Sequence, residues 1–313
     1  MSPSAPRVTE VAFTKNEGRF LLEWIAYHRS IGVTDFLIYT NDCEDESPAL
    51  LDRLAEMGIV THIPNPLQPG EQPQNKALNH AVRHRLVLSA DYVLQVDPDE
   101  FLCVKTGEGN IADLIATAPD ADIICVQMRF FGDSGLEQLG GGLVIEQLTG
   151  ASGEAFKVNN IVKSLARVGG PYFKITANHM PAFEPDEGQH PRIFNGGGVE
   201  IPPEAYGGER FRTIPEAYRS MANAQLNHYA VRTFSDYRAK KYRGTAADND
   251  GKLTMRYWKT RNRNDVQDLS IQRRVPGVTQ LMAEWLRDSM LAACNQRCFE
   301  AYAQILHKSR SLL

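Results

Sequence analysis

Two aspartates one residue apart, Asp97 and Asp99, follow directly on the apolar run Tyr92-Val93-Leu94-Gln95-Val96. Alternate residues at a strand end point the same way, so both carboxylates can face one ligand. Two carboxylates held close repel each other unless something positive lies between them. A hard divalent cation supplies that charge, and its remaining positions take phosphate oxygens. This suits the departure of a nucleoside diphosphate, which gains negative charge as a sugar bond breaks. Mn²⁺ or Mg²⁺ stabilises that charge as a Lewis acid. A bare Asp-x-Asp is common and also reads as an acidic turn in solvent, so the weight falls on where the pair sits.

It sits after a fourth strand. Val8 to Phe13 reads as a strand, and from Glu17 the period turns helical, with Phe20, Leu21, Trp24, Ile25, His28 and Ile31 on one face. Gly32 stops that helix. Phe36 to Tyr39 is a second strand. Ser47 offers an N-cap, with Pro48 at the first helical position and Gly58 past the end. Ile59 to Ile63 is a third strand, Gln74 to Leu88 a helix, and Asp91 to Val96 the fourth strand. Ile111 to Ala118 and Asp122 to Phe130 add a helix and a strand. Such a repeat predicts an α/β fold with a mostly parallel sheet and helices on both faces. Ligands of such sheets bind at the carboxyl ends of the strands. That brings together the loops Thr14 to Glu17, Asn41 to Glu46 and Asp97 to Glu100. Beyond Gly132 the pattern weakens, with glycine runs at 140–142 and 196–198. Val278 to His307 returns to a long helical period, broken once.

Composition narrows the classes. The 313 residues, 42% hydrophobic, suffice for a real core. A formal net charge of -4 leaves no footprint for nucleic acid. Five scattered cysteines argue against a disulfide framework and fit a reducing, cytoplasmic setting. Cys294 and Cys298 read as small apolar residues on one helix face. The N-terminus has no signal-peptide design, and no apolar run approaches a transmembrane length. Membrane contact is therefore expected to be peripheral at most, for instance an anionic-lipid grip by the basic run from Arg238 to Arg243.

Several motifs occur together in order: Lys15-Asn16-Glu17, Leu21, Glu23-Trp24 and Tyr27-His28; Ile38-Tyr39-Thr40-Asn41-Asp42 with Asp45; Asp97-Pro98-Asp99-Glu100-Phe101-Leu102; and Asn227-His228-Tyr229 followed by Lys240 or Lys241 and Arg243-Gly244. In this combination the chain resembles family 2-like glycosyltransferases, in the branch related to family 92, over roughly residues 8 to 275. The resemblance implies a GT-A fold, a nucleotide-sugar donor and inversion at the anomeric carbon. It implies that Asp97 and Asp99 hold metal and diphosphate, with His228 as third ligand and His179 as competitor. An imidazole with two carboxylates suits Mn²⁺ somewhat better than Mg²⁺. Thr14, Asn16 and Glu17 stand where the family holds base and ribose. Asn41 and Asp42 stand where a polar side chain reads the base, although the common Asp-Asp-Gly-Ser is missing there. Lys163, Arg238, Lys240, Lys241 and Arg243 are candidate diphosphate partners, most of the helical run reading equally as a solvated face.

Inversion needs a carboxylate to take the acceptor hydroxyl's proton. Glu184, Asp186 and Glu187 lie in a loop marked by Pro181, Pro185 and Pro191, and Asp186 is the candidate, with Asp248 next. The expected division is a glycosyltransferase domain over 1–245 and a helical extension over 246–313. Within the domain, 8–130 would serve the donor and 131–245 the acceptor, a saccharide, a lipid or a surface-polymer precursor. Two other readings compete: a metal-dependent nucleotidyltransferase, which lacks its glycine-rich basic loop here, and a nucleotide-sugar binder without catalysis. A NAD enzyme is disfavoured because no Gly-x-Gly-x-x-Gly follows a strand.

Overall fold

The structure, a computed structural model, describes residues 5–169, 179–181, 190–208, 210–245, 251 and 253–311. β1 (Val8–Thr14) is buried along its whole length. Its side chains alternate between two apolar layers: Val8 and Ala12 join one core cluster, Val11 and Phe13 another. The first layer is filled by α1 (Gly18–Ser30) and, after β2 (Asp35–Thr40), by α2 (Ser47–Glu56). Beyond β3 (Thr61–Pro64), α3 (Pro73–Ala81) covers the opposite face. Helices thus lie on both faces, as the strand-helix repeat requires.

The single helix expected over 74–88 is two. The first stops at Ala81, and the His84 ring accepts from Leu86 N at 3.3 Å, capping α4 (Arg85–Leu88). The cap of α2 also differs from expectation. It falls on Glu46, at φ 65°, and Ser47 is already helical. Asp45 takes the anchoring role, accepting from Ser47 N, Ser47 Oγ and Gly18 N.

β4 (Tyr92–Gln95) pairs parallel with β1, and after the acidic turn β5 (Glu100–Val104) leaves in another direction. Next come α5 (Ile111–Ala116), β6 (Ile123–Phe130), α6 (Val144–Gln147), β7 (Gly150–Ala151) and β8 (Val162–Arg167). β9 (Ile193–Asn195), β10 (Glu200–Ile201), α7 (Pro203–Tyr206) and β11 (Ala224–His228) follow. The main sheet runs β10-β9-β6-β8-β4-β1-β2-β3, with β11 joining β5 to β6. The β4-β1-β2-β3 half is parallel throughout, while β8 is antiparallel to both β4 and β6.

The rest is α8 (Phe234–Arg243), α9 (Met255–Arg261), β12 (Val266–Gln267), α10 (Val275–Trp285) and α11 (Ser289–Lys308). The break between the last two helices falls at Asp288, which caps α11 and pairs with Arg53 of α2. α11 packs on α1, α2 and α8, and β12 pairs with β7. All five cysteines are free. Among the described residues no helix is long and apolar enough to cross a membrane.

Candidate active site

Asp97 and Asp99 occupy a turn, not a continuing strand. Glu100 N donates to Asp97 O at 2.9 Å, so the chain reverses between β4 and β5. Strand alternation is therefore not what aims the two carboxylates. The turn does so, and both line one cavity of about 260 Å³.

Helix α1 sets the turn's far side. Trp24, Tyr27 and His28 share one helical face, being three and four residues apart. Trp24 Nε1 donates to Glu100 O at 3.0 Å, Tyr27 OH donates to Leu102 O at 2.8 Å, and Leu102 N donates to His28 Nε2 at 3.3 Å. Burial holds the His28 imidazole down at about 3, so it stays neutral and can accept. This ladder fixes β5 beneath the helix.

β11 completes the floor. It lies between β5 and β6, placing His228 beside Glu100 on one strand and Phe130 on the other. Tyr229 N donates to Asp99 O at 2.9 Å, tying the acidic turn to this strand. His228 Nε2 then stands 3.6 Å from Asp99 Oδ1, and His228 Nδ1 stands 3.9 Å from Glu100 Oε1. The ring also packs on Phe130, centroids 5.0 Å apart.

Each carboxylate here has a cation against it. Lys240 of α8 reaches Asp99 Oδ2 at 2.6 Å. Burial alone would raise the Asp99 carboxyl, but Lys240 and His228 outweigh it and hold it well below the carboxylate range. Lys163 of β8, fully buried, is 3.3 Å from both Asp97 Oδ2 and Glu100 Oε2. Burial works against its charge, yet these two carboxylates keep the ammonium raised. Glu100 is pushed up to about 7, by burial first and then by Asp97, against the pull of Lys163. Glu17 pairs with Arg232 at 3.1 Å and with Arg243. Burial would raise Glu17, but the two guanidinium groups hold it low. Arg232 sits at φ 50°, unusual for its type, and stacks on the Phe20 ring at 3.6 Å.

The residues singled out from sequence fall into two groups. Glu17, Asp97, Asp99, His179, His228, Lys240 and Arg243 line the cavity. Thr14, Asn16, Asn41, Asp42, Lys163, Arg238 and Lys241 do not. Asn16 accepts from Glu44 N and donates to Arg243 O, bracing the β1–α1 loop. Thr14 Oγ1 is buried with no hydrogen-bond partner among the described residues, and Asp42 is exposed at φ 46°. Lys163 lies behind the turn, and Arg238 reaches Arg310 O at 3.3 Å. Asp186, Glu184, Glu187 and Asp248 lie outside the described residues. The cavity also takes in residues the sequence did not flag: Phe130, Arg212, Tyr257 and Arg261. No local pattern marks them, since they converge only through the fold.

Among the described residues, no three His, Cys, Asp or Glu side chains already form a metal cluster. The donor chemistry nonetheless fits a divalent ion. Two donors about 2.1 Å from one ion stand roughly 3.0–3.5 Å apart, close to the 3.6 Å between Asp99 Oδ1 and His228 Nε2. Lys240 occupies only the other oxygen. His228 Nδ1 is buried and lacks a hydrogen-bond partner among the described residues, and the Glu100 carboxylate stands 3.9 Å away to orient the ring.

Residues 8–138 match the family model for glycosyltransferase family 92. A glycosyltransferase family 92 protein of Ricinus communis is 32% identical over 132 residues, 40% of this chain and 23% of that protein. One of Oryza sativa subsp. japonica is 35% identical over 125 residues, 39% of this chain and 20% of that protein. The chain thus spans under a quarter of the length of these curated relatives. Among solved structures, Staphylococcus aureus TarS 1–349 aligns over 97% of this chain and 91% of its own, at 12% identity and TM-score 0.34. Glucosyl-3-phosphoglycerate synthase from Mycobacterium tuberculosis, crystallised with Mn²⁺, UDP and glucosyl-3-phosphoglycerate, aligns over 38% of this chain and 43% of its own. Its identity is 15% and its TM-score 0.26. The strand-helix units that end in the acidic turn, together with β5, α5 and β6, make up the matched stretch, and over residues 8–138 the chain is similar to glycosyltransferase family 92.

Proposed function

We propose that the chain is a metal-dependent, inverting glycosyltransferase of GT-A type that moves a sugar from a nucleoside-diphosphate donor to a hydroxyl acceptor. The observation that carries this reading is the turn at 97–99. It aims two carboxylates into one cavity, within a segment matching a glycosyltransferase family, with an imidazole 3.6 Å from the second carboxylate. Asp97, Asp99 and His228 would hold the ion. When bound, Mn²⁺ or Mg²⁺ supplies Lewis-acid stabilisation of the diphosphate leaving group.

The chain's own residues do the rest. Lys240 and Arg243 present positive charge from the end of α8, suited to phosphate oxygens. The loops at Thr14, Asn16 and Glu17 and at Asn41 and Asp42 would hold the nucleoside, with Lys163 fixing Asp97 from behind. In this reading Asp186 takes the proton of the attacking hydroxyl. The donor part is 8–130, the acceptor part 131–245, and 246–313 buttresses both.

The test is a thermal shift with UDP, GDP, CDP and dTDP, each with and without Mn²⁺. One nucleotide should raise the melting temperature more with the ion than without. Asp99→Ala should abolish that metal-dependent gain and His228→Ala should weaken it. If both variants respond like the parent, the metal site is misplaced. A nucleotide sugar that binds but releases no nucleoside diphosphate over hours would leave a binder and no enzyme.

A further inference from the structure

Among the described residues the charges at the cavity do not balance, and the surplus is three basic side chains. Asp97 and Glu100 face Lys163, Asp99 faces Lys240, and Glu17 faces Arg232 and Arg243. These carboxylates and cations cancel. A nucleotide sugar's two ionised phosphates and one divalent ion cancel as well, so a loaded donor adds no net charge. Yet Lys15, Arg212 and Arg261 also line the cavity, and among the described residues none of them makes an ion pair. Unpaired like charges around one concavity repel, and an arriving anion relieves that cost.

Lys15 belongs to the β1–α1 loop, on the donor side. The two arginines come from outside residues 8–138. Arg261 ends α9 and is held firmly. Its guanidinium lies 4.4 Å from the Phe130 centroid and 5.4 Å from that of Tyr257. The next residues clasp the β6 end: Asn262 Oδ1 accepts from Asp133 N at 2.8 Å, and Asn264 Oδ1 accepts from Ser134 N at 2.9 Å. Both amides also donate to the Asp133 carboxylate, at 2.8 and 3.0 Å. Because Phe130 packs on His228 as well, Arg261 is one ring away from the His228 imidazole. Arg212 enters from the β8 wall, where its carbonyl accepts from Val162 N at 3.1 Å.

We infer that the second substrate carries a phosphate group, bound by Arg212 and Arg261: the acceptor is a phosphorylated sugar or polyol that offers a free hydroxyl. A phosphomonoester carries about -1.5 to -2 charge at pH 7, matching two guanidinium groups. The guanidinium fork also suits phosphate geometry. This inference rests on the functional reading above, because the donor's phosphates are counted as already neutralised.

The experiment is a titration of inorganic phosphate into the full chain already saturated with Mn²⁺ and the nucleoside diphosphate chosen by the thermal screen, read by calorimetry. Phosphate should bind alongside the nucleotide. Arg261→Ala and Arg212→Ala should each weaken it about tenfold while nucleotide affinity stays within about twofold. Arg263→Ala, which removes the pair with Asp265 and the cation over the Phe156 ring but no cavity-lining side chain, should leave it unchanged. Matching far-ultraviolet spectra and melting temperatures confirm that the variants fold. Phosphate that displaces the nucleotide, fails to bind, or binds both arginine variants like the parent overturns the inference. If no nucleoside diphosphate binds at all, the functional reading falls separately. The phosphate titration without nucleotide then decides whether the arginine site exists.

Discussion

Lys240 takes one oxygen of Asp99 and leaves the other toward His228. It stands where a second positive charge could substitute for it. Removing one member of a buried pair strands the other charge, at a cost of about 3–5 kcal/mol. Lys240→Met should therefore lower the melting temperature strongly in chelator, and Mn²⁺ should recover more of that loss than it adds to the parent. Calorimetric melts with and without the ion check this, and equal ion effects in both proteins would reject it. Asp97, Asp99 and His228 were legible in the sequence because short motifs carry them. The choice between Lys240 and Lys241 was not. The run Arg238 to Arg243 reads as a solvated helix face until the side turned to the sheet is known. Lys240 and Arg243 face the cavity, while Tyr242 is exposed. Arg212 and Arg261 were invisible, since each stands among ordinary surface residues.

At the level of elements, α1 does more than fill a layer. Its Trp24, Tyr27 and His28 hold β5, and its Glu23 accepts from Val144 N at 2.9 Å and Ile145 N at 3.0 Å, capping α6. Burial pushes the Glu23 carboxyl up to about 7, against those two backbone donors. A carboxyl raised in the folded state favours folding most below its ordinary value, and that advantage is lost as pH rises from about 4.5 to 7. The full swing is on the order of 3 kcal/mol. Glu23→Gln cannot ionise, so relative to the parent it should gain stability across pH 5 to 8. Urea melts at several pH values measure this, and a difference independent of pH would refute it. The first four strands and the helices between them were readable from their periods. β5, β8 and β11 were not. They are short, β8 and β11 carry polar residues such as Lys163, Gln225 and Asn227, and their place follows from long-range pairing.

Across the whole molecule, the C-terminal part is joined to the sheet by specific polar contacts. The asparagine clasp at 262–264 and the β7–β12 pairing hold α9 against the β6 end. Arg129 of β6 pairs with Asp268 at 2.7 Å, and Gln225 of β11 donates to the same carboxylate at 2.7 Å. Asn264→Ala should cost about 1–2 kcal/mol, because Ser134 N loses its acceptor and Asp133 one of its two amide side-chain donors. It should speed amide exchange across 254–267 while leaving β1 to β4 protected. Hydrogen-exchange mass spectrometry reads both, and uniform acceleration throughout the chain would contradict a local clasp.

The insertion of β11 between β5 and β6 has a consequence for the order of events during synthesis. The ribosome delivers Asp97 and Asp99 more than a hundred residues before His228 and Lys240. Until β11 emerges, β5 lacks the one strand it pairs with among the described residues, and Asp99 is without Lys240 and the His228 imidazole. Nascent chains halted before residue 224 should therefore stay open to protease at β5, and protection should arrive once β11 has cleared the exit tunnel.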